Sequence, residues 1–202
     1  VFVAPRSRRD TAIPPPAVPG FQRVESIKAL GVTISRRFSV TDHVDHLLSS
    51  CAQTLFALRT LRYHGLPTEA LHNVFQATVV AKLTYASPAW WGYANTTDKA
   101  RLEAFLRRSV RFGYRAASSP TLAHICADFD DKLFNNIINN PKHLLFPLLP
   151  PQRDKRYELR DRTHHNLTLP SRTISIKDCN FIMRILYKDM NYSQFSQSSA
   201  QQ

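Results

Sequence analysis

Glycine is scarce in this 202-residue chain, with five scattered residues, so no glycine-rich loop exists to cradle a phosphate through successive backbone N–H groups. Cysteine is scarce too. The three cysteines, at 51, 126 and 179, are odd in number and far apart, which fits neither a disulfide framework nor the paired spacings of a zinc module and points to a reducing compartment. Long apolar runs are missing: nothing approaches the roughly 18 residues that span a bilayer, and the opening VFVAPRSRRD lacks the apolar centre of a signal peptide. The expectation is an intracellular protein, nuclear or cytoplasmic, with no membrane partner. Methionine is nearly absent, with Met183 the earliest and Val1 in first place, which reads as a piece of a longer chain.

Acidic residues are the remaining shortage. Fifteen Asp and Glu against 27 Lys and Arg leave a formal charge of +12 and a pI near 10.1, which makes nucleic acid the leading partner class. A solvated basic surface or attraction to anionic lipid gives the same total, so position matters more than the sum. Residues 1 to 40 carry a net +5, residues 41 to 94 are neutral, residues 95 to 115 carry +4 and the remainder +3. The charge is therefore clustered on an N-terminal arm and on one later helix.

Residues 1 to 20 hold five prolines, which withhold the backbone donors of a sheet or helix, and read as a strand remnant followed by a loop. In LGVTI, Leu30, Val32 and Ile34 alternate at period two around Gly31, as in a short strand. Helical spacing then takes over. Val44, Leu47, Leu48, Cys51, Leu55 and Leu58 form one stripe, with Thr41 as the expected N-cap and Gly65 as the stop. A second helix starts near Pro67, turns Leu71, Val74, Phe75, Thr78 and Leu83 inward, and ends or kinks before Pro88, because Ser87 is driven out of helical geometry.

The third helix is expected from a Thr96 or Thr97 cap through Arg115. At 100° per residue, Leu102, Phe105, Leu106, Ser109, Phe112 and Gly113 occupy one arc, and Arg101, Arg107, Arg108, Arg111 and Arg115 share an adjoining arc of about 120°. That row is either a solvated basic face or a track for a phosphate backbone. Beyond it, Ser119-Pro120 opens a helical stretch that Asn139-Asn140-Pro141 closes. From LLPPQRDKRYELRDRTHHN onward, proline, mixed charge and short apolar pairs argue for extended or disordered chain, relieved by an amphipathic segment at Phe181, Ile182, Ile185 and Leu186.

In this order, IKALGVTISRRFSVTDHVDHLLSSCAQTLFALRTL, then LTYASPAWWG, RLEAFLRRSVRFGYR, YELRDRTHHNLTLP and DCNFIMRILYKDM, the chain resembles the downstream part of LINE-type (non-LTR) retrotransposon reverse transcriptases. The likeness covers nearly its whole length. It implies that Leu30, Gly31 and Val32 belong to a primer-grip strand at the palm edge, and that residues 41 to 115 form the helical thumb that holds an RNA or RNA/DNA template-primer duplex. The implied fold is mainly α: a thumb-like three-helix bundle, a short N-terminal β remnant and a largely extended C-terminal tail. The divisions are 1–40 for the remnant and its loop, 41–115 for the bundle, 116–149 for an accessory helical segment and 150–202 for the tail, with a short helix at 178–190. The family's palm motif, an aromatic, any residue and two aspartates, has no counterpart here, and neither has its endonuclease. The resemblance therefore implies a catalytically inactive piece whose missing palm and fingers are its partners. Magnesium belongs to the intact polymerase, and this chain is expected to bind no cofactor itself. The competing reading is a free-standing basic helical module for protein interaction.

Other residue patterns have a sharp and a bland reading. Trp90 and Trp91 stand where the second helix hands over to the third, so their rings are expected to cover uncapped helix ends, or simply to pack with one of them partly exposed. In ADFDD, Phe129 directly precedes Asp130 instead of standing two places before the pair, so a solvated helix start is expected in place of metal-binding carboxylates. A helix scatters His124, Cys126 and Asp128, whereas a metal needs convergent ligands, and arginines beside His164 and His165 disfavour ligation. Cys51 on an apolar stripe is expected to be a small inert hydrophobe.

Overall fold

The computed structural model describes residues 20, 24–152, 165–171 and 175–188. The expected strand remnant and most of the proline-rich loop lie outside the described residues, as do His164 and the Gln/Ser end. The described chain is mainly helical, with one two-stranded sheet.

That sheet is an antiparallel hairpin of β1 (Ser26–Ala29) and β2 (Val32–Ser35), with Ala29 opposite Val32 and Ser26 opposite Ser35. Its register leaves a two-residue turn, Leu30 and Gly31, both at positive φ (47° and 87°), the geometry that matches the strands' right-handed twist. The strand expected over LGVTI is thus corrected. Leu30 is not on its inner face but at the turn, 91% exposed, and β1 is hard to read from the sequence because its four residues, SIKA, offer only one short alternation, Ile27 and Ala29, and bury neither. Val32 does point inward and is buried.

Helix α1 (Thr41–Tyr63) follows, and its stripe of Val44, Leu47, Cys51 and Leu58 is buried, with Leu48 and Leu55 packed beside it. Gly65, at φ 87°, ends it: Gly65 N–H donates to Arg62 O and Leu66 N–H to Leu61 O, which satisfies two carbonyls of the last turn. Thr41 is not the cap. Val40 holds that position, and the Thr41 hydroxyl donates instead to Asp98 Oδ2 at 2.8 Å.

The second helix is continuous from α2 (Thr68–Phe75) through a π turn (Gln76–Val80) to α3 (Ala81–Thr84). In the π turn, Ala81 N–H reaches back five residues to Gln76 O, and the extra residue advances the inward face by one position. Val79 and Val80 are buried as a result, while Thr78, expected inward, is exposed and donates its hydroxyl to Val74 O. The chain breaks at Tyr85 and Ala86, where Ala86 has φ 50°, and Ser87 opens the short helix α4 (Ser87–Trp90) with Pro88 in its first turn. The break comes two residues earlier than expected because proline is welcome in a first turn.

Helix α5 (Thr96–Arg111) is capped by Asn95, whose side chain accepts from Asp98 N–H at 2.7 Å, so neither Thr96 nor Thr97 is the cap. Helix α6 (Leu122–Ile138) is capped by Thr121. After a single 3-10 turn at Phe146–Leu148 come α7 (Ser175–Asp178) and α8 (Phe181–Leu186).

One apolar cluster joins the inward faces of α1, α2, α3, α5 and the start of α6 around Trp90. The Trp90 indole is fully buried, donates Nε1–H to Tyr85 O at 2.9 Å, and meets His43 edge-on. It therefore satisfies the carbonyl at the chain break, while Trp91 is half-buried under the Lys99 ammonium. A second cluster, Phe134, Ile185 and Leu186, joins α6 to α8.

That junction is also ionic. Arg184 binds Asp130 with both ends of its fork, Nη2 at 2.7 and 2.8 Å and Nε at 3.2 Å, and Lys188 Nζ reaches Asp131 at 2.6 Å. The expectation of a solvated helix start at ADFDD is overturned. These aspartates lie mid-helix on a face that α8 covers, and the pairing at a distance of 54 residues leaves no local sequence signal. Burial raises the Asp130 carboxyl above its ordinary range, and Arg184 opposes that rise. His165 is buried against the Phe134 ring; Leu167 N–H donates to its Nδ1, so Nε2 carries the proton and donates to Leu186 O. Gly92 lies so close to Cys179 O and the Arg184 guanidinium that any Cβ there would overlap both.

Candidate nucleic-acid interface

Helix α5 presents three faces, each set by a different set of residues. Leu102, Phe105, Leu106 and Ser109 face the core, and the Ser109 hydroxyl is satisfied by donating to Phe105 O at 3.0 Å. Glu103 turns toward α6 and accepts from Leu122 N–H at 3.0 Å. The third face carries the arginines.

The five predicted arginines separate. Arg101 is held between acids, with Nη2 at 2.5 Å from Asp45 and Nη1 at 3.4 Å from Asp98, and those carboxylates hold its guanidinium all the more firmly protonated. Arg107, Arg108 and Arg111 are exposed and make no ion pair among the described residues. Arg115 is not on the row. The helix ends at Arg111, Gly113 takes φ 73°, and Arg115 turns inward, buried, with Nη2 donating to Pro120 O. Burial lowers its pKa, with Glu103 opposing. Extending helical periodicity through Gly113 is what placed Arg115 on the wrong face. Phe112, expected in the core, is 61% exposed because it stands one turn after Arg108, at the edge of the apolar arc.

The end of α5 meets the end of α1. Arg62 Nη1 donates to Phe112 O at 2.6 Å, and its guanidinium lies over the Tyr114 ring at 4.5 Å. His72 Nε2 is 3.2 Å from Gly113 O. Cationic or polar donors at these last carbonyls complement the helix dipole. Since Asp45 meets Arg101 near the beginnings of the two helices and Arg62 meets Phe112 at their ends, α1 and α5 run in the same direction. Between their C-terminal halves lies a groove lined by Leu55, Phe56, Arg59, Arg62, Phe112 and Tyr114. No acidic residue occurs from 46 to 68 or from 104 to 127, so both halves are free of counter-charge along the chain. That absence is the readable signal for Arg59 and Arg62, which helical spacing alone does not single out.

The residues predicted as primer-grip-like, Leu30, Gly31 and Val32, form the hairpin end, not part of this groove. The Tyr85 hydroxyl donates to Leu30 O at 3.3 Å, and a Cβ at Gly31 would stand 3.4 Å from the Tyr85 ring. Lys28, in β1, bears electrostatically on His43 in the first turn of α1, whereas Arg62 lies in the last. Nineteen helical steps of 1.5 Å put His43 and Arg62 about 28 Å apart along α1. Comparison of the chain with family models, with characterised proteins and with solved structures returned no match.

Of the tested metal readings, His124 and Asp128 pair with each other on the outer face of α6 at 3.8 Å while Cys126 points into the core. The adjacent aspartates Asp130 and Asp131 are engaged by Arg184 and Lys188. Burial pushes the Cys51 and Cys126 thiols up to about 11, the opposite of what a nucleophile needs.

Proposed function

We propose that this chain is the primer-grip and thumb portion of a non-LTR reverse transcriptase and that it holds a template-primer duplex without carrying out chemistry itself. The observation that carries the reading is the set of exposed, unpaired Arg107, Arg108 and Arg111 on a helix locked into the core by its opposite face. The element order, an edge hairpin followed by the long helices α1, α2–α3 and α5, fits a palm edge leading into a thumb.

Guanidinium groups grip phosphate through paired donors and read no sequence in that mode, so binding is broad and driven by counterion release. With about three to four phosphates neutralised, the slope of log affinity against log salt is expected near −2 to −4. Filter binding of duplex RNA across a salt series tests this. Arg108→Ala with Arg111→Ala should flatten the slope by about 1.5 to 2, because both side chains are exposed and alanine favours helix. An unchanged slope rejects the arginine face as the contact and leaves the basic N-terminal arm.

The second reading, a protein-interaction module, is favoured by one observation. Leu144 and Leu148 are exposed beside an apolar groove lined by Leu145, Pro170, Phe181 and Met183. Absence of any salt-dependent nucleic-acid binding would turn the argument to that surface.

A further inference from the structure

The groove between α1 and α5 differs from a merely basic surface in displaying two large rings to solvent. Phe56 is 72% exposed and Phe112 61%, and they stand on different helices with Arg59 and Arg62 between. Neither ring belongs to the core cluster. Arg108 lies one turn before Phe112 on the same row of α5, the row that Arg101 shows to face α1. Arg62 is fixed by Phe112 O and the Tyr114 ring, so this wall of the groove is held in place before any ligand arrives.

Potentials across an interface are complementary, so a rim of one charge sign calls for a partner of the opposite sign along its whole length. This groove is rimmed by arginine alone, on two stretches of chain without a single acid. Exposed aromatic faces inside a cationic rim match a polyanion whose own units have flat faces, since every base offers a π surface to stack and every phosphate a partner for guanidinium. Paired bases inside a duplex keep those surfaces covered by their neighbours, which leaves unpaired nucleotides as the matching occupant.

We propose that the α1–α5 groove binds unpaired nucleotides, with bases stacked on Phe56 and Phe112 and the strand's phosphates held by Arg59 and Arg108. This inference rests on the nucleic-acid reading above and adds to it a preference for a single-stranded segment, as where a duplex gives way to an unpaired overhang.

The test uses the whole chain and three probes: an oligothymidylate of about twelve nucleotides, an abasic oligomer of the same length and charge, and a duplex. The wild-type protein should bind the oligothymidylate at least about tenfold more tightly than the abasic strand. Phe56→Leu with Phe112→Leu should bring that ratio close to one while leaving the salt slope unchanged. Arg108→Ala with Arg111→Ala should lower the slope on both strands and leave a clear preference for bases. Phe56→Leu alone, at the more exposed position, provides the same comparison with least disturbance to folding, and should halve the logarithm of the ratio or more. Salt-dependent binding with no preference for bases in the wild type overturns the groove assignment and leaves the thumb reading standing. A preference that survives the double phenylalanine change also overturns it. Failure of any probe to bind in a salt-dependent way rejects both.

Discussion

Arg184→Met removes the cation that holds α8 on α6 while keeping most of the apolar stem. Asp130, 6% exposed, is then left as a buried carboxylate without its fork. Removing one partner of a fully buried pair typically costs about 3 to 5 kcal/mol; because a quarter of the Arg184 side chain meets solvent, a loss of about 2 to 3 kcal/mol is expected. In a chain of this length that corresponds to roughly 5 to 10 °C in Tm. The pH dependence separates this cause from simple loss of packing. Burial raises the folded carboxyl pKa even with Arg184 present, so without it the folded state binds the proton still more readily than the unfolded state does. A group with a raised folded pKa contributes stability that declines as pH rises, so the variant should recover part of its loss between pH 8 and pH 5 relative to wild type. Asp130→Leu combined with Arg184→Met should return to within about 1 kcal/mol of wild type, since an apolar pair of similar volume replaces the buried ions. Urea unfolding followed by circular dichroism at several pH values measures all three. A loss below about 0.5 kcal/mol for Arg184→Met, or one that grows as pH falls, refutes the reasoning.

Gly92→Ala should destabilise by about 1 to 3 kcal/mol and speed proteolysis within residues 175–188, because its Cβ would overlap Cys179 O and Arg184; an unchanged cleavage rate would show that the contact does not hold the segment. Leu30→Asn should raise stability by about 0.5 to 1 kcal/mol, since Asn-Gly suits a turn with both residues at positive φ, and thermal melting reads the gain. His43 is buried with Nε2 unpartnered, and its pKa is lowered first by burial and then by His46 and Lys28. Its depressed folded pKa means that unfolding takes up a proton below about pH 6.5, so stability should fall as pH drops through that value, and His43→Phe should remove that component. Equal pH slopes in both proteins would assign the acid loss to other groups.

The sequence by itself determined the long helices, because their evidence is local. An apolar residue every third or fourth place along α1 and α5 marks a buried stripe wherever the helix sits, and Leu102, Phe105 and Leu106 face the core as their spacing requires. It also displayed the acid-free halves of α1 and α5, since charge along a chain needs no structure to be counted. Boundaries were less legible. Asn95 replaced the expected threonine caps, and Gly113 ended α5 before Arg115, because capping depends on a few torsions that several neighbouring residues can supply. The π turn hid Val79 and Val80 from a strict helical count, as one added residue rotates everything after it. Only the tertiary structure decided that Asp130 meets Arg184, that Phe112 joins Phe56 outside the core, and that Arg115 turns inward. Such contacts join residues that are far apart in the chain, and a carboxylate or a phenylalanine carries no local mark of which neighbour the packed fold will bring to it.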